Sequence, residues 1–163
     1  MRHALFIASI GASALLAPAA LYGQTERPDF SGKWIMDAAK SEQGPLTPQT
    51  MSYIIQQKGS QITADRTITT PSGESTAHLV FEIDGKPWKN EWKQGAMSVV
   101  GLSTLSWENT TLIIKTLISA DGQEVQQMDR WTLGPDGKTV TIQRSIEAGG
   151  QSLTAKVVMT KAP

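Results

Sequence analysis

Two arginines and one aspartate occupy positions at which a strand pattern places apolar side chains. Arg66, Asp129 and Arg144 each lie two residues from an apolar neighbour, and Asn90 and Gln127 occupy equivalent positions. Arginine presents a planar, permanently charged fork that matches a carboxylate or a phosphate. Because the set holds one arginine more than it holds carboxylates, the chemistry it favours is the binding of a small anion.

Large aromatic residues share these strand faces and would contact the apolar part of such a ligand. The sequence therefore predicts an interior site for a small amphipathic or anionic molecule. Its predicted ligand-binding residues are Arg66, Asn90, Gln127, Asp129, Arg144, Phe81, Trp88, Trp92 and Trp131.

The same polar residues also fit a role without any ligand. Ionic side chains inside a fold are usually paired, because an unpaired buried charge is costly. Arg66 or Arg144 could pair with Asp129 and Asn90, or could stack on a tryptophan ring. The alternative hypothesis is a structural or protein-partner-binding β-domain with a packed core and no small ligand.

The elements that position these residues are short β-branched runs separated by turn residues. Pairs such as Asp84-Gly85 and Gly149-Gly150 supply the positive φ angles that tight hairpins require. The pattern predicts an all-β fold, an antiparallel up-and-down meander in a barrel or a sandwich. About ten strands are predicted, near 31–36, 50–57, 60–69, 74–83, 86–93, 97–107, 110–119, 123–133, 138–147 and 151–160.

One segment interrupts this regular spacing. Residues 37–49 contain Gly44, Pro45 and Pro48 and lack the alternation of a strand. The segment is predicted to be a longer loop, which either lies over one mouth of a barrel or is an ordinary surface connection.

The first residues have the layout of a secretory signal peptide. Met1-Arg2-His3 is basic, Ala4 to Leu16 is uncharged and mostly apolar, and small residues follow as far as Gly23. The prediction is a signal peptide over residues 1–23 and a single domain over 24–163, located in the periplasm or outside the cell. The apolar run is too short to span a membrane, so no membrane insertion is expected after cleavage.

Composition and motifs disfavour several other functions. The chain has no cysteine, and its 15 basic and 15 acidic residues form no run of like charge that would attract nucleic acid. His78 falls on the predicted outer face, and no nucleophile elbow or phosphate-binding glycine loop is present. No catalytic residue, cofactor or metal is therefore predicted, and an enzyme is the least favoured hypothesis.

The stretch Asp29-Phe30-Ser31-Gly32-Lys33-Trp34 resembles the start of the first strand in lipocalins and their calycin relatives, which carry Gly-x-Trp there. It is still more similar to small exported bacterial proteins that begin with Asp-Phe-Ser-Gly-x-Trp, a group mostly without an assigned function. The resemblance implies a closed lipocalin-like barrel that can hold one ligand.

In that family the tryptophan closes the base of the barrel, and a basic residue from a late strand packs over its ring. The resemblance therefore implies structural roles for Gly32 and Trp34, with Arg144 as the nearest basic candidate. A glycine at position 32 implies that another backbone segment or an aromatic ring approaches closely there, so that a Cβ would clash.

Overall fold

The computed structural model describes residues 27–120 and 122–163, which form ten β-strands and no helix. The strands are β1 Gly32–Met36, β2 Thr50–Lys58, β3 Gln61–Thr70, β4 Gly73–Glu82, β5 Trp88–Gln94, β6 Met97–Glu108, β7 Thr111–Ala120, β8 Gln123–Leu133, β9 Thr139–Ala148 and β10 Gln151–Lys161. Each lies within two residues of its predicted bounds. The predicted signal peptide, residues 1–23, lies outside the described residues and stays a prediction. None of the described residues belongs to a helix with the length and hydropathy of a membrane span.

All ten strands belong to one antiparallel sheet that curls into a nearly closed barrel. The strand order is β4-β3-β2-β1-β10-β9-β8-β7-β6-β5, so the first strand pairs with the last. The other pairs are between strands consecutive in sequence. Apart from β1–β2, which the loop over 37–49 joins, they are hairpins with short turns such as the one at Gly59, with φ of 58°. The predicted all-β up-and-down meander is confirmed.

Alternation along the strands places the core inside this barrel. In β2, Met51, Tyr53 and Ile55 are buried, whereas Ile54 between them is exposed. Successive side chains of a strand point to opposite faces, so one face of each strand is covered and the other meets solvent. The inner faces of nearly all strands contribute to a single cluster of buried apolar residues.

The barrel has a seam where β4 and β5 face each other without a main-chain ladder. These two strands are neighbours in space but are the two ends of the hydrogen-bonded strand order, and side chains replace the ladder between them. Asn90 Oδ1 accepts a hydrogen bond from Val80 N at 2.8 Å, and Asn90 Nδ2 donates to Val80 O at 3.0 Å. Ser75 Oγ donates to Lys93 O at 2.8 Å. Two side chains thus close the seam.

The base of the barrel is built around Trp34. Its side chain is only 1% exposed, and its Nε1 donates to Phe30 O at 2.8 Å. Lys161 Nζ lies 5.3 Å from the centroid of the ring. Lys161 of β10 therefore supplies the cation over this tryptophan. The expectation that Arg144 would supply it is wrong. Gly32, with φ of 135°, provides the space, since a Cβ there would lie 2.5 Å from Lys161 Cε.

Candidate functional site

The barrel encloses a cavity of about 380 Å³. The loop between β1 and β2 lies over its mouth, because Pro45, Leu46, Thr47 and Pro48 line it. Pro71 of the β3–β4 turn and Met97, the first residue of β6, also line the cavity. Of the two predicted placements of the loop, the position over the mouth is the one observed. The walls are mostly apolar and include Phe30, Met51, Ile55, Ile62, Leu79, Phe81, Val99, Leu112, Ile114 and Trp131.

One arginine of the cavity is fully paired. Arg144 Nε donates to Asp129 Oδ1 and Arg144 Nη2 donates to Asp129 Oδ2, both at 2.8 Å. Gln127 Nε2 also donates to Asp129 Oδ2, at 3.0 Å. Burial disfavours the charged guanidinium, but the adjacent Asp129 carboxylate outweighs burial and raises the pKa of Arg144. The two residues lie directly opposite each other on β8 and β9, so the pair is fixed by the register of one hairpin.

The second arginine has no counter-ion among the described residues. Arg66 Cζ lies 5.1 Å from the centroid of the Trp92 ring, and Arg66 Nε is buried without a hydrogen-bond partner. Burial lowers the pKa of Arg66, Tyr53 opposes this, the like charge of Arg144 lowers the pKa further, and the charge of Asp129 raises it. Tyr53 faces Arg66 across β2 and β3. Arg66 thus remains a desolvated cation that contacts the Trp92 ring and lies beside the phenol of Tyr53.

Two buried hydrogen-bond donors of the cavity have no partner within the described part of the chain. Arg66 Nε and Trp131 Nε1 are both buried without partners, and both residues line the cavity. Asp129 already accepts hydrogen bonds from Arg144 and Gln127. A buried donor without a partner costs free energy that an acceptor would recover. The arrangement therefore favours a ligand that has a hydrogen-bond acceptor, and a negatively charged acceptor would also neutralise Arg66.

Seven of the nine residues predicted to bind a ligand line this cavity. They are Arg66, Gln127, Asp129, Arg144, Phe81, Trp92 and Trp131. The alternative contacts foreseen for the arginines are also present, since Arg144 pairs with Asp129 and Arg66 stacks on a tryptophan.

The other two predicted residues lie outside the cavity. Asn90 is 5% exposed and faces inward, but both ends of its amide are used by Val80 at the seam. Trp88 is 41% exposed, so the interior position predicted for it is wrong. It is the first residue of β5 and directly follows Pro87, where the strand is only beginning and the alternation does not yet fix a face.

Sequence reasoning missed Tyr53, which lines the cavity beside Arg66. The signal was available, since Tyr53 alternates with the apolar Met51 and Ile55. It also missed the pair formed by Ser103 and Thr116, whose hydroxyl oxygens lie 2.9 Å apart on the cavity wall.

Other side chains that could take part in chemistry lie away from the cavity. His78 Nδ1 lies 2.6 Å from Asp65 Oδ1, and both side chains are exposed. Within residues 27–120 and 122–163, no three histidine or acidic side chains gather as a metal centre would require. The cavity is therefore the candidate site.

Fold and cavity together define the class: a nearly closed, antiparallel ten-stranded barrel of lipocalin-like type with an interior space. Neither a family model nor a curated protein matches the chain. Among solved structures it is similar to secretory abundant heat soluble protein 4 from Ramazzottius varieornatus. The TM-score is 0.52 at 12% sequence identity, covering 86% of this chain and 97% of that one. At this identity the likeness concerns the fold alone.

Proposed function

We propose that this protein is an exported lipocalin-like barrel that binds a small amphipathic anion in its interior. The observation that carries the proposal is Arg66, a half-buried cation that forms no salt bridge with any residue the structure describes and whose buried Nε has no hydrogen-bond partner among them. It lines an apolar cavity in which the other arginine, Arg144, is already paired with Asp129. The cavity volume of about 380 Å³ falls in the range of small-molecule sites, which is about 300–1,000 Å³.

The charge count favours a head group with one negative charge. Arg66 and Arg144 contribute two positive charges and Asp129 one negative charge, so a monoanion brings the interior to neutrality. A second negative charge would be buried without compensation, which is costly. A carboxylate on an apolar chain fits this description, with its oxygens accepting from Arg66 and its chain lying against Phe81, Trp92 and Trp131.

The test compares dodecanoate with dodecanol, which share the chain and differ in charge. Binding is followed by the change in intrinsic tryptophan fluorescence. Removal of a charge-assisted hydrogen bond costs about 1.5–3 kcal/mol, so Arg66→Met should weaken dodecanoate binding about 10- to 100-fold. Dodecanol binding should change little.

The matched control is Arg130→Met. Arg130 forms an ion pair with Glu108 and does not line the cavity, so dodecanoate binding should be unchanged in this variant. Equal affinity of the wild-type protein for the acid and the alcohol, or no binding of either, would contradict the proposal.

The alternative is a structural or partner-binding β-domain, and the contacts of Arg66 with Trp92 and Tyr53 favour it. The two functions differ in what Arg66→Met does to the empty protein. A structural Arg66 loses stabilising contacts, so the free energy of unfolding falls. A ligand-binding Arg66 is an uncompensated buried charge, so its replacement by an apolar side chain leaves that free energy unchanged or raises it.

Export is proposed from the sequence of residues 1–23 alone. Expression of the full chain in a Gram-negative host should place the protein, shortened at its N-terminus, in the periplasmic fraction. Deletion of residues 2–23 should leave it in the cytoplasm. An unprocessed full chain in the cytoplasm would contradict export.

A further inference from the structure

The Arg66 side chain crosses the seam from inside the barrel. Arg66 lies on β3 and Trp92 on β5, and β4 lies between them. The residue of β4 opposite Arg66 is Ala77, whose small side chain leaves room for the guanidinium to pass. The cation therefore has Tyr53 beside it on β2 and Trp92 on the far side of the seam.

Trp92 in turn rests on a glycine. A Cβ added at Gly101 would lie 2.9 Å from Trp92 Cζ3 and 3.0 Å from Trp92 Cη2. It would also lie 3.0 Å from Thr116 Cγ2 on the other side, and Thr116 is held by its hydrogen bond with Ser103. Gly101 lies within β6 and is buried. Because both neighbours are in contact, a methyl group there would displace the indole ring.

We propose that Gly101 is a specificity-determining position: it seats Trp92, and Trp92 holds Arg66 where the head group of an anionic ligand is bound. The inference rests on the proposed function and adds to it the residues that fix the cation. Gly101 touches no ligand in this arrangement and acts as a positioning residue through Trp92.

The test is the ratio of dodecanoate to dodecanol affinity in Gly101→Ala. Displacement of Trp92 removes the cation–π contact of Arg66, so the preference for the acid should fall about tenfold. Trp92→Leu should give a similar loss with Gly101 intact. A general loss of stability would weaken both probes together and would leave the ratio unchanged.

A second substitution that restores the preference for the acid distinguishes a displaced Trp92 ring from general damage to the fold. In the double variant Gly101→Ala with Trp92→Phe, the smaller ring frees the space that the new methyl group takes, so the preference for the acid should recover. The matched control is Gly134→Ala, where a Cβ would meet Asp136 and Thr139 outside the cavity. It should keep the wild-type ratio.

The outcomes separate the two proposals. A wild-type protein that binds dodecanoate, together with a Gly101→Ala variant of unchanged ratio, overturns this inference and leaves the proposed function standing. Failure of the wild type to prefer dodecanoate overturns both. If Gly101→Ala does not fold, Trp92→Leu and the double variant decide, and an unchanged ratio in Trp92→Leu overturns the inference.

Discussion

Two of the tryptophan–cation pairs in the barrel, one at the base and one at the seam, differ in which of their polar groups remain without a partner. At the base, Trp34 is buried with its Nε1 hydrogen-bonded, and Lys161 above it is exposed to solvent. At the seam, Trp92 is half-buried and Arg66 above it is desolvated, with Nε unpartnered. The base pair lies on β1 and β10, which are joined by a ladder. The same kind of tryptophan–cation contact can thus complete a hydrophobic core or hold a cation where it can bind a ligand.

The largest expected loss of stability is at the base of the barrel. Trp34→Ala removes a buried ring and its hydrogen bond, which should lower the free energy of unfolding by about 3–5 kcal/mol. That is a large part of the roughly 5–15 kcal/mol that stabilises a domain. Urea denaturation followed by circular dichroism measures it, with Trp34→Phe expected to lose less. An unchanged midpoint in Trp34→Ala would contradict the closed base.

A smaller effect is expected at the seam. Asn90→Ala leaves the N–H and C=O of Val80 without their partners, so the free energy of unfolding should fall by about 1–3 kcal/mol. Hydrogen exchange at the Val80 amide should accelerate more than exchange in the β1–β10 ladder. Uniform acceleration across the barrel would show that the seam does not open separately. Ser75→Ala, which removes one hydrogen bond to Lys93, should have a smaller local effect.

The smallest effect is expected for the exposed cation at the base. Lys161→Met keeps the apolar stem over Trp34 and removes the charge, which should cost about 0.5–1 kcal/mol. Arg66→Met at the seam should leave the free energy of unfolding of the ligand-free protein unchanged or raise it. Denaturation of both variants under the same conditions tests the contrast, and a loss of stability in both would remove the distinction between the two pairs.

Much of this arrangement was predictable from local patterns. Alternation placed Arg66, Asp129 and Arg144 on inner faces, because a strand has a period of two. The partner of Arg144 was also within reach, since the turn around Gly137 sets Asp129 opposite Arg144 in one hairpin.

Contacts that need barrel closure were not predictable in this way. Lys161 meets Trp34 only because β10 returns to β1, and no turn between them specifies that register. Asn90 was assigned to the cavity because alternation along a strand predicts which face a side chain lies on, but not which residues it contacts. The seam in which its amide is hydrogen-bonded arises from the curvature of the whole sheet. The role of Gly101 depends on a ring from the adjacent strand, which a sequence pattern does not reveal.

The pairing of Trp34 with Lys161 also makes closure of the barrel depend on a contact between the first strand and the last. Hairpins such as β2–β3 and β6–β7 join neighbouring segments, and β1 can pair with β2, but the second edge of β1 stays open until β10 arrives. Proteins dominated by such distant contacts fold on the order of milliseconds to seconds. Until β10 arrives, Trp34 lacks its cover from Lys161 and β1 presents an unpaired strand edge, and a chain in that state is prone to aggregate.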